Sequence, residues 1–168
     1  MMSVRSRLTE PGRPVDFDAV VAAPFGAVGI RAKRGGVEEV VFLPRFERIE
    51  PRSAATARLA DQVADYLAGR AWQFDPVDLP PATEFRRRVW AAIAAIPAGR
   101  TRTYGELAAD LGSAPRAVGQ ACGDNPLPLL IPCHRVVAAA GLGGFAHSGG
   151  GFHQSVKQWL LAHEAQQR

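Results

Sequence analysis

Cysteine is scarce in this chain, with two in 168 residues, Cys122 and Cys133. Two are too few for a disulfide framework, and they cannot form a four-cysteine zinc site. The four histidines show no ligand spacing with them. Long apolar runs are also missing, and none approaches the ~20 residues that a membrane-spanning helix needs. The opening "MMSVRSRLTEPGRPVDFD" has basic residues but no apolar core, which excludes a secretory signal. Residues 1–14 read as a flexible leader. Internal repeats and low-complexity tracts are absent. What remains is a protein expected in the cytoplasm or nucleoid, without a membrane partner.

Hydrophobic residues are plentiful at 47%, which excludes a disordered chain. The length suits one domain or two small ones. The net charge is +4, unevenly spread. Residues 1–80 carry 11 Lys+Arg and 11 Asp+Glu, whereas residues 81–168 carry 9 and 5. The whole excess therefore lies in the second half, a mild pointer to a polyanion there.

The first half, 15–80, reads as a strand-rich domain. "FDAVVAAPFG", "AVGIRAK" and "VEEVVFLP" are short apolar runs separated by Pro-Phe-Gly and Arg-Gly-Gly turns, which predicts a three-strand meander. Ser53 caps a predicted helix over 54–68 that ends at Gly69. "WQFDPVDL" predicts one more strand, and "PPAT" a stiff boundary.

The second half, 81–168, is mainly helical. "TEFRRRVWAAIAAIPAG" puts Phe85, Val89, Trp90, Ile93 and Ile96 on one face, with Thr83 as N-cap. Arg86, Arg87 and Arg88 fall off that stripe and read as a solvated face. Thr103 and Glu106 form a capping-box pattern for a helix ending at Gly112. A short turn leads to a second helix over 115–122, the outline of a helix-turn-helix, though that outline also occurs in proteins that never meet DNA. "LPLLIPCHRVV" reads as an extended apolar segment, followed by a glycine-rich loop. "SVKQWLLAHEAQQR" is a final helix with Val156, Trp159, Leu160 and His163 on one side.

The chemistry concentrates in "IPCHRVV". A thiolate is the reactive form of cysteine, and a cation or base within hydrogen-bond reach lowers a thiol's pKa. His134 adjoins Cys133, but neighbours on a strand point to opposite faces, so a bend or bridging water is needed between them. A basic histidine in turn needs an orienting acid, and Glu164 on the last helix is a candidate. Structural alternatives stand beside each: a satisfied histidine at 134, a solvated carboxylate at 164, a small buried hydrophobe at Cys122. Arg135 is expected in an ion pair rather than in the chemistry.

"NPLPLLIPCHRVV", with "TYGELA" and "RAVGQA" upstream and "WLLAHE" downstream, resembles the O6-alkylguanine-DNA alkyltransferases (methylated-DNA–protein-cysteine methyltransferases) over about residues 85–164. The resemblance implies an α/β (α+β) architecture, a small N-terminal domain with a short antiparallel sheet and a helix before a helical domain bearing a helix-turn-helix. It implies single-use DNA repair: duplex DNA is bound from the minor groove, the guanine is flipped out, and the O6-alkyl group moves irreversibly to Cys133, with O4-alkylthymine as a further substrate. No metal or organic cofactor is required, and the protein is expected to act as a monomer, with cooperativity on DNA.

By motif position, Cys133 matches the alkyl acceptor, His134 the water-linked base and Glu164 the acid that orients it. Asn125 matches the asparagine holding the turn before the active segment. Tyr104 matches the tyrosine that meets N3 of the flipped guanine, and Arg116 the arginine that fills the vacated stack. Thr103, Ala117, Gly119 and Gln120 fall on the DNA-facing helices. Val136 and the Cys133 carbonyl match acceptors for the guanine amino group, and Ser148 matches a loop serine near O6. Phe145 stands where many members have Tyr, in a loop a few residues longer than usual. Two rival readings remain open: a non-enzymatic lesion binder of the alkyltransferase-like type, which lacks the acceptor cysteine, and a Cys-His hydrolase, which has no need of a helix-turn-helix.

Overall fold

The computed structural model describes residues 17–34, 36–79, 81–145 and 151–166. The leader over 1–14 and Ser148 lie outside the described residues.

Three antiparallel strands form a meander in the order β1 (Ala19–Ala23), β2 (Gly26–Lys33), β3 (Gly36–Leu43). The two-residue Pro24-Phe25 turn sets the register Ala23↔Gly26 through Ala19↔Ile30. Residues Ala27 to Ile30 of β2 are all buried because both faces of the sheet are covered. One face meets helix α1 (Ala54–Leu67), which presents Leu59, Val63 and Tyr66. The other carries a small cluster of Phe17, Val20 and Ala27. Ser53 caps α1, and Thr56 returns the bond in a full capping box.

The predicted strand in "WQFDPVDL" does not form; residues 71–79 carry no regular secondary structure. The Asp75 N–H donates to the Gln62 side chain at 3.2 Å, Arg58 pairs with Asp75, and Pro76 has no N–H to give a ladder. Trp72 and Phe74 pack on the Tyr66 ring instead. The segment is thus a strap across α1.

Helix α2 (Glu84–Ala94) starts at the Thr83 cap and buries Val89, Trp90 and Ile93. Strand β4 (Arg102–Thr103) leads into α3 (Tyr104–Leu111), and α4 (Pro115–Gly123) follows. Gly112 closes α3 in the left-handed region (φ 62°), which glycine adopts without a Cβ penalty. Only half of the predicted Thr103/Glu106 box forms. Thr103 accepts from the Glu106 N–H at 3.0 Å, while the Glu106 carboxylate lies 3.5 Å from Arg102. Arg86 is not merely solvated, because it pairs with Asp124 at 2.6 Å.

The segment before Cys133 is not extended. Residues 126–132 turn, with Leu129 at φ 76°, and Cys133–Arg135 form one turn of 3₁₀ helix before β5 (Val136–Val137). Prolines 126, 128 and 132 remove three donors that a strand would need. β5 pairs in parallel with β4, Arg102↔Val136 and Thr103↔Val137, which brings the start of α3 beside the Cys133 turn. Helix α5 (Phe152–Ala165) packs against that turn and buries Val156, Lys157, Leu160 and Glu164. A single core cluster runs from Val28 and Phe42 through Tyr66, Trp90, Leu107 and Val118 to Cys133 and Leu160.

Candidate active site

The 3₁₀ turn aims successive side chains about a third of a turn apart. Cys133 therefore faces the end of α4, and His134 faces α5. The strand-based reasoning about opposite faces does not apply, but the two side chains still diverge. Cys133 is 6% exposed and His134 1%.

Asn125 organises the sulfur. Its Nδ2 donates to the Ile131 carbonyl at 2.8 Å and to Cys133 Sγ at 2.9 Å. Its Oδ1 accepts from the Leu127 N–H at 2.9 Å. These three contacts fix the amide orientation and close the loop. The Pro126 carbonyl accepts from the Val40 N–H at 2.9 Å, tying the loop to β3. The thiol donates to the Cys122 carbonyl at 3.6 Å.

The expected cation at the sulfur is not its partner. Burial pushes the Cys133 thiol well above its ordinary value, and neighbouring Cys122 adds to this. The Asn125 hydrogen bond and the charge of Lys157 oppose it. The resting group is a thiol, so reaction requires a base.

A histidine–carboxylate–arginine chain follows the cysteine. His134 Nε2 lies 2.6 Å from Glu164 Oε1, and Arg135 holds the same carboxylate through Nε at 3.0 and 2.9 Å and Nη2 at 2.8 Å. Arg135 Nη1 also donates to the Ile96 carbonyl at 2.6 Å. The ion pair expected for Arg135 is present. Burial alone would raise the Glu164 carboxyl; hydrogen bonds from His134 and Arg135 outweigh it and bring it down to about 2. Burial lowers His134 below its ordinary value, since Arg135 already neutralises the carboxylate that would stabilise an imidazolium. A neutral imidazole with Nε2–H on Glu164 leaves Nδ1 as the acceptor. Nδ1 is buried and has no hydrogen-bond partner among the described residues.

Tyr104 opens α3, and its hydroxyl donates to the Gly144 carbonyl at 3.2 Å. Burial keeps its phenol protonated. Gly143 (φ 76°) lies so close that an added Cβ would meet the Tyr104 ring at 2.9 Å. Phe145 is buried edge-on against Phe42, with centroids 5.5 Å apart. The Cys133 carbonyl accepts from the Val136 N–H, and the Val136 carbonyl accepts from Lys157 Nζ at 2.7 Å. Each carbonyl keeps a second lone pair. A cavity of about 360 Å³ opens onto Cys133, with Val40, Phe42, Cys122, Asn125, Phe145 and Phe152 in its walls. A larger hollow of about 930 Å³ lies on the far side of Pro132 and Arg135 and does not include Cys133.

Arg116 and Gln120 are exposed on α4, with Ala117 and Gly119 half-buried between them. Nothing lies within 4 Å of where a Gly119 Cβ would stand, so that face admits close approach. These residues form a surface separate from the Cys133 cluster. The Thr103 hydroxyl oxygen is taken up as the α3 cap.

Lys157 and Tyr66 escaped the sequence reading. Lys157 is fully buried on α5, donates also to the Gly144 carbonyl at 3.0 Å, and is lowered by burial to about 8. A lysine inside the apolar run "SVKQWLL", seven residues before Glu164, was its signal. Tyr66 donates to Glu164 Oε1 at 3.1 Å from α1, but in sequence it is one more apolar-face aromatic. Among the described residues, no three His, Cys, Asp or Glu gather as a metal-ligand set, and no helix is long and apolar enough to cross a membrane.

Comparison with known proteins gives the family. The family described as 6-O-methylguanine DNA methyltransferase, DNA binding domain, matches residues 84–166. The methylated-DNA–protein-cysteine methyltransferase of Salmonella typhimurium is 46% identical over 125 residues, 71% of this chain and 70% of that protein. Its counterpart in Methanosarcina acetivorans is 36% identical over 154 residues, 86% of this chain and 96% of that protein. The crystal structure of Mycobacterium tuberculosis O6-methylguanine methyltransferase superposes with a TM-score of 0.74 at 33% identity, covering 89% of this chain and 92% of that one. The structure of the M. tuberculosis protein in complex with DNA gives 0.71 at 36% identity, covering 88% and 91%. By sequence, fold and the Cys133 constellation alike, the chain belongs to the methylated-DNA–protein-cysteine methyltransferase family.

Proposed function

We propose that this protein repairs DNA by direct reversal, moving an alkyl group from O6 of guanine in duplex DNA to the sulfur of Cys133. The observation that carries this reading is a buried thiol held by Asn125, next in sequence to a buried imidazole that Glu164 and Arg135 orient and whose Nδ1 is left without a partner among the described residues. Duplex DNA approaches through the minor groove. Helix α4 supplies Arg116 to the vacated stack and Ala117, Gly119 and Gln120 to the backbone. The damaged base leaves the stack, because its alkyl carbon is otherwise out of reach of a protein sulfur.

The Cys133 proton passes through a bridging water to His134 Nδ1, and Glu164 stabilises the imidazolium. Sγ then attacks the alkyl carbon in line, the carbon–O6 bond breaks, and its electron pair goes to guanine. Tyr104 exchanges the Gly144 carbonyl for N3 of the base and gives its proton there, so that guanine leaves neutral, and the proton held by the imidazolium returns through water to the phenolate. The second lone pairs of the Cys133 and Val136 carbonyls receive the guanine amino group. Lys157 and Asn125 offset charge on the sulfur. The thioether is a poor leaving group, so each chain acts once. The protein acts as a monomer on nucleoid DNA, a reading supported by a Cys133 cluster drawn from one chain and by a DNA substrate.

A lesion binder without transfer is disfavoured by Cys133 itself. The test is stoichiometric: with excess duplex containing O6-methylguanine, lesion loss should stop at one equivalent of protein. Continued turnover contradicts single use, and no loss contradicts transfer.

A further inference from the structure

We propose that Tyr66 is a positioning residue for His134, acting through Glu164 from the opposite half of the chain. The inference rests on the reading of His134 as the base. The hydroxyl of Tyr66 donates to Glu164 Oε1, the oxygen that also faces His134 Nε2. All three side chains are buried, with 1% exposure each. The tyrosine is fixed at both ends: His163 Nε2 lies 2.6 Å from the Tyr66 carbonyl, and the ring is enclosed by Trp72, Phe74 and His163 at centroid distances of 5.5, 5.7 and 5.5 Å. An aromatic serving only to fill this space would have no need of a hydroxyl aimed at a carboxylate that Arg135 already satisfies.

The consequence follows from charge density on one oxygen. Oε1 takes hydrogen bonds from Tyr66, Arg135 and His134 together. Each donor spreads the negative charge and weakens the hold of the carboxylate on an imidazolium proton. The charged or titratable groups acting on His134 are Glu164 and Lys157 from α5 and Arg135 from its own turn. Those acting on Tyr66 are Glu164 and Arg135, with His163 against its ring. Burial, and then the Glu164 carboxylate, keep the Tyr66 phenol protonated, so it donates across the working range. Tyr66 thus adds, through Glu164, to the burial that already lowers His134.

Tyr66→Phe removes one donor and keeps the ring. The His134 midpoint, read from its ring nitrogens by NMR, should rise by roughly half a pH unit. The acid limb of the single-turnover transfer rate should rise with it, a loss of about threefold on that limb. The NMR midpoint does not depend on transfer, so failure of the methyl-transfer reading is distinguishable from failure of this one. A second arm leaves the fold of Tyr66 untouched. The chain has two tyrosines, so in a Tyr104→Phe background 3-fluorotyrosine labels Tyr66 alone. The stronger phenolic donor should move the His134 midpoint down. Opposite shifts in the two arms support the proposal. An unmoved His134 midpoint in the fluorinated protein, or in Tyr66→Phe, overturns it.

Discussion

Glu164→Ala should destabilise the fold by about 3–5 kcal/mol and slow transfer by about 10²–10⁴-fold. The size comes from what the carboxylate leaves behind. Arg135 stays buried with only the Ile96 carbonyl, and the hydroxyl of Tyr66 and Nε2 of His134 lose their shared acceptor. Removing one partner of a buried pair costs far more than the pair itself contributes. The rate falls because His134 loses its tautomer and orientation. The pH dependence has a definite sign. Glu164 sits at about 2 in the fold against an ordinary 4.5, so its stabilisation is complete above about 4.5 and is lost as pH falls through about 2. That window is worth roughly 3 kcal/mol. Denaturant titration across pH 2–5 should show the slope in the native protein and its loss in Glu164→Ala. An equal slope in both would place the acid sensitivity elsewhere.

Asn125 should give the second large effect. In Asn125→Ala the Ile131 carbonyl, the Leu127 N–H and the Cys133 sulfur all lose a partner. Unsatisfied buried groups of this kind cost about 1–3 kcal/mol each, and partial relaxation suggests a total of about 2–4 kcal/mol. The sulfur also loses the donor that opposes its upward shift, so fewer thiolates form and the rate drops. Asn125→Asp separates the two roles. It keeps the acceptor for Leu127 but puts a negative charge against the sulfur, and it should stop transfer with the smaller stability loss. Denaturation and single-turnover rates on both variants check this. A fast Asn125→Asp protein would exclude a role for the amide in activating the sulfur.

Much of the site was legible because motif spacing carries it. Asn125, Cys133, His134 and Arg135 lie within eleven residues, whereas spacing alone leaves the link from Glu164 to His134 open and only the resemblance of "WLLAHE" supplied it. The meander and the capped helices were legible for similar reasons, since Ser53, Thr83 and Gly112 act locally. The strand expected in "WQFDPVDL" failed because its partners were side chains of α1 rather than another strand, which composition does not encode. The segment before Cys133 looked extended from its apolar letters, yet three prolines and the Asn125 side chain turn it. Tyr66 and Lys157 were hidden for one reason. Their partners lie 98 and 21 residues away, and only tertiary packing reveals that a core-looking aromatic and a lysine in an apolar run are polar members of one network. The thiol's upward shift was equally out of reach, because burial sets it and burial is a property of the whole core.

The central claim, that Cys133 takes the alkyl group, is tested most directly by intact mass measurement after mixing the protein with a duplex carrying one O6-methylguanine. One methyl per chain is expected, mapped to Cys133 in the digested protein and absent in Cys133→Ala. Binding without a gain in mass, or a methyl carried on Cys122 instead, would contradict it.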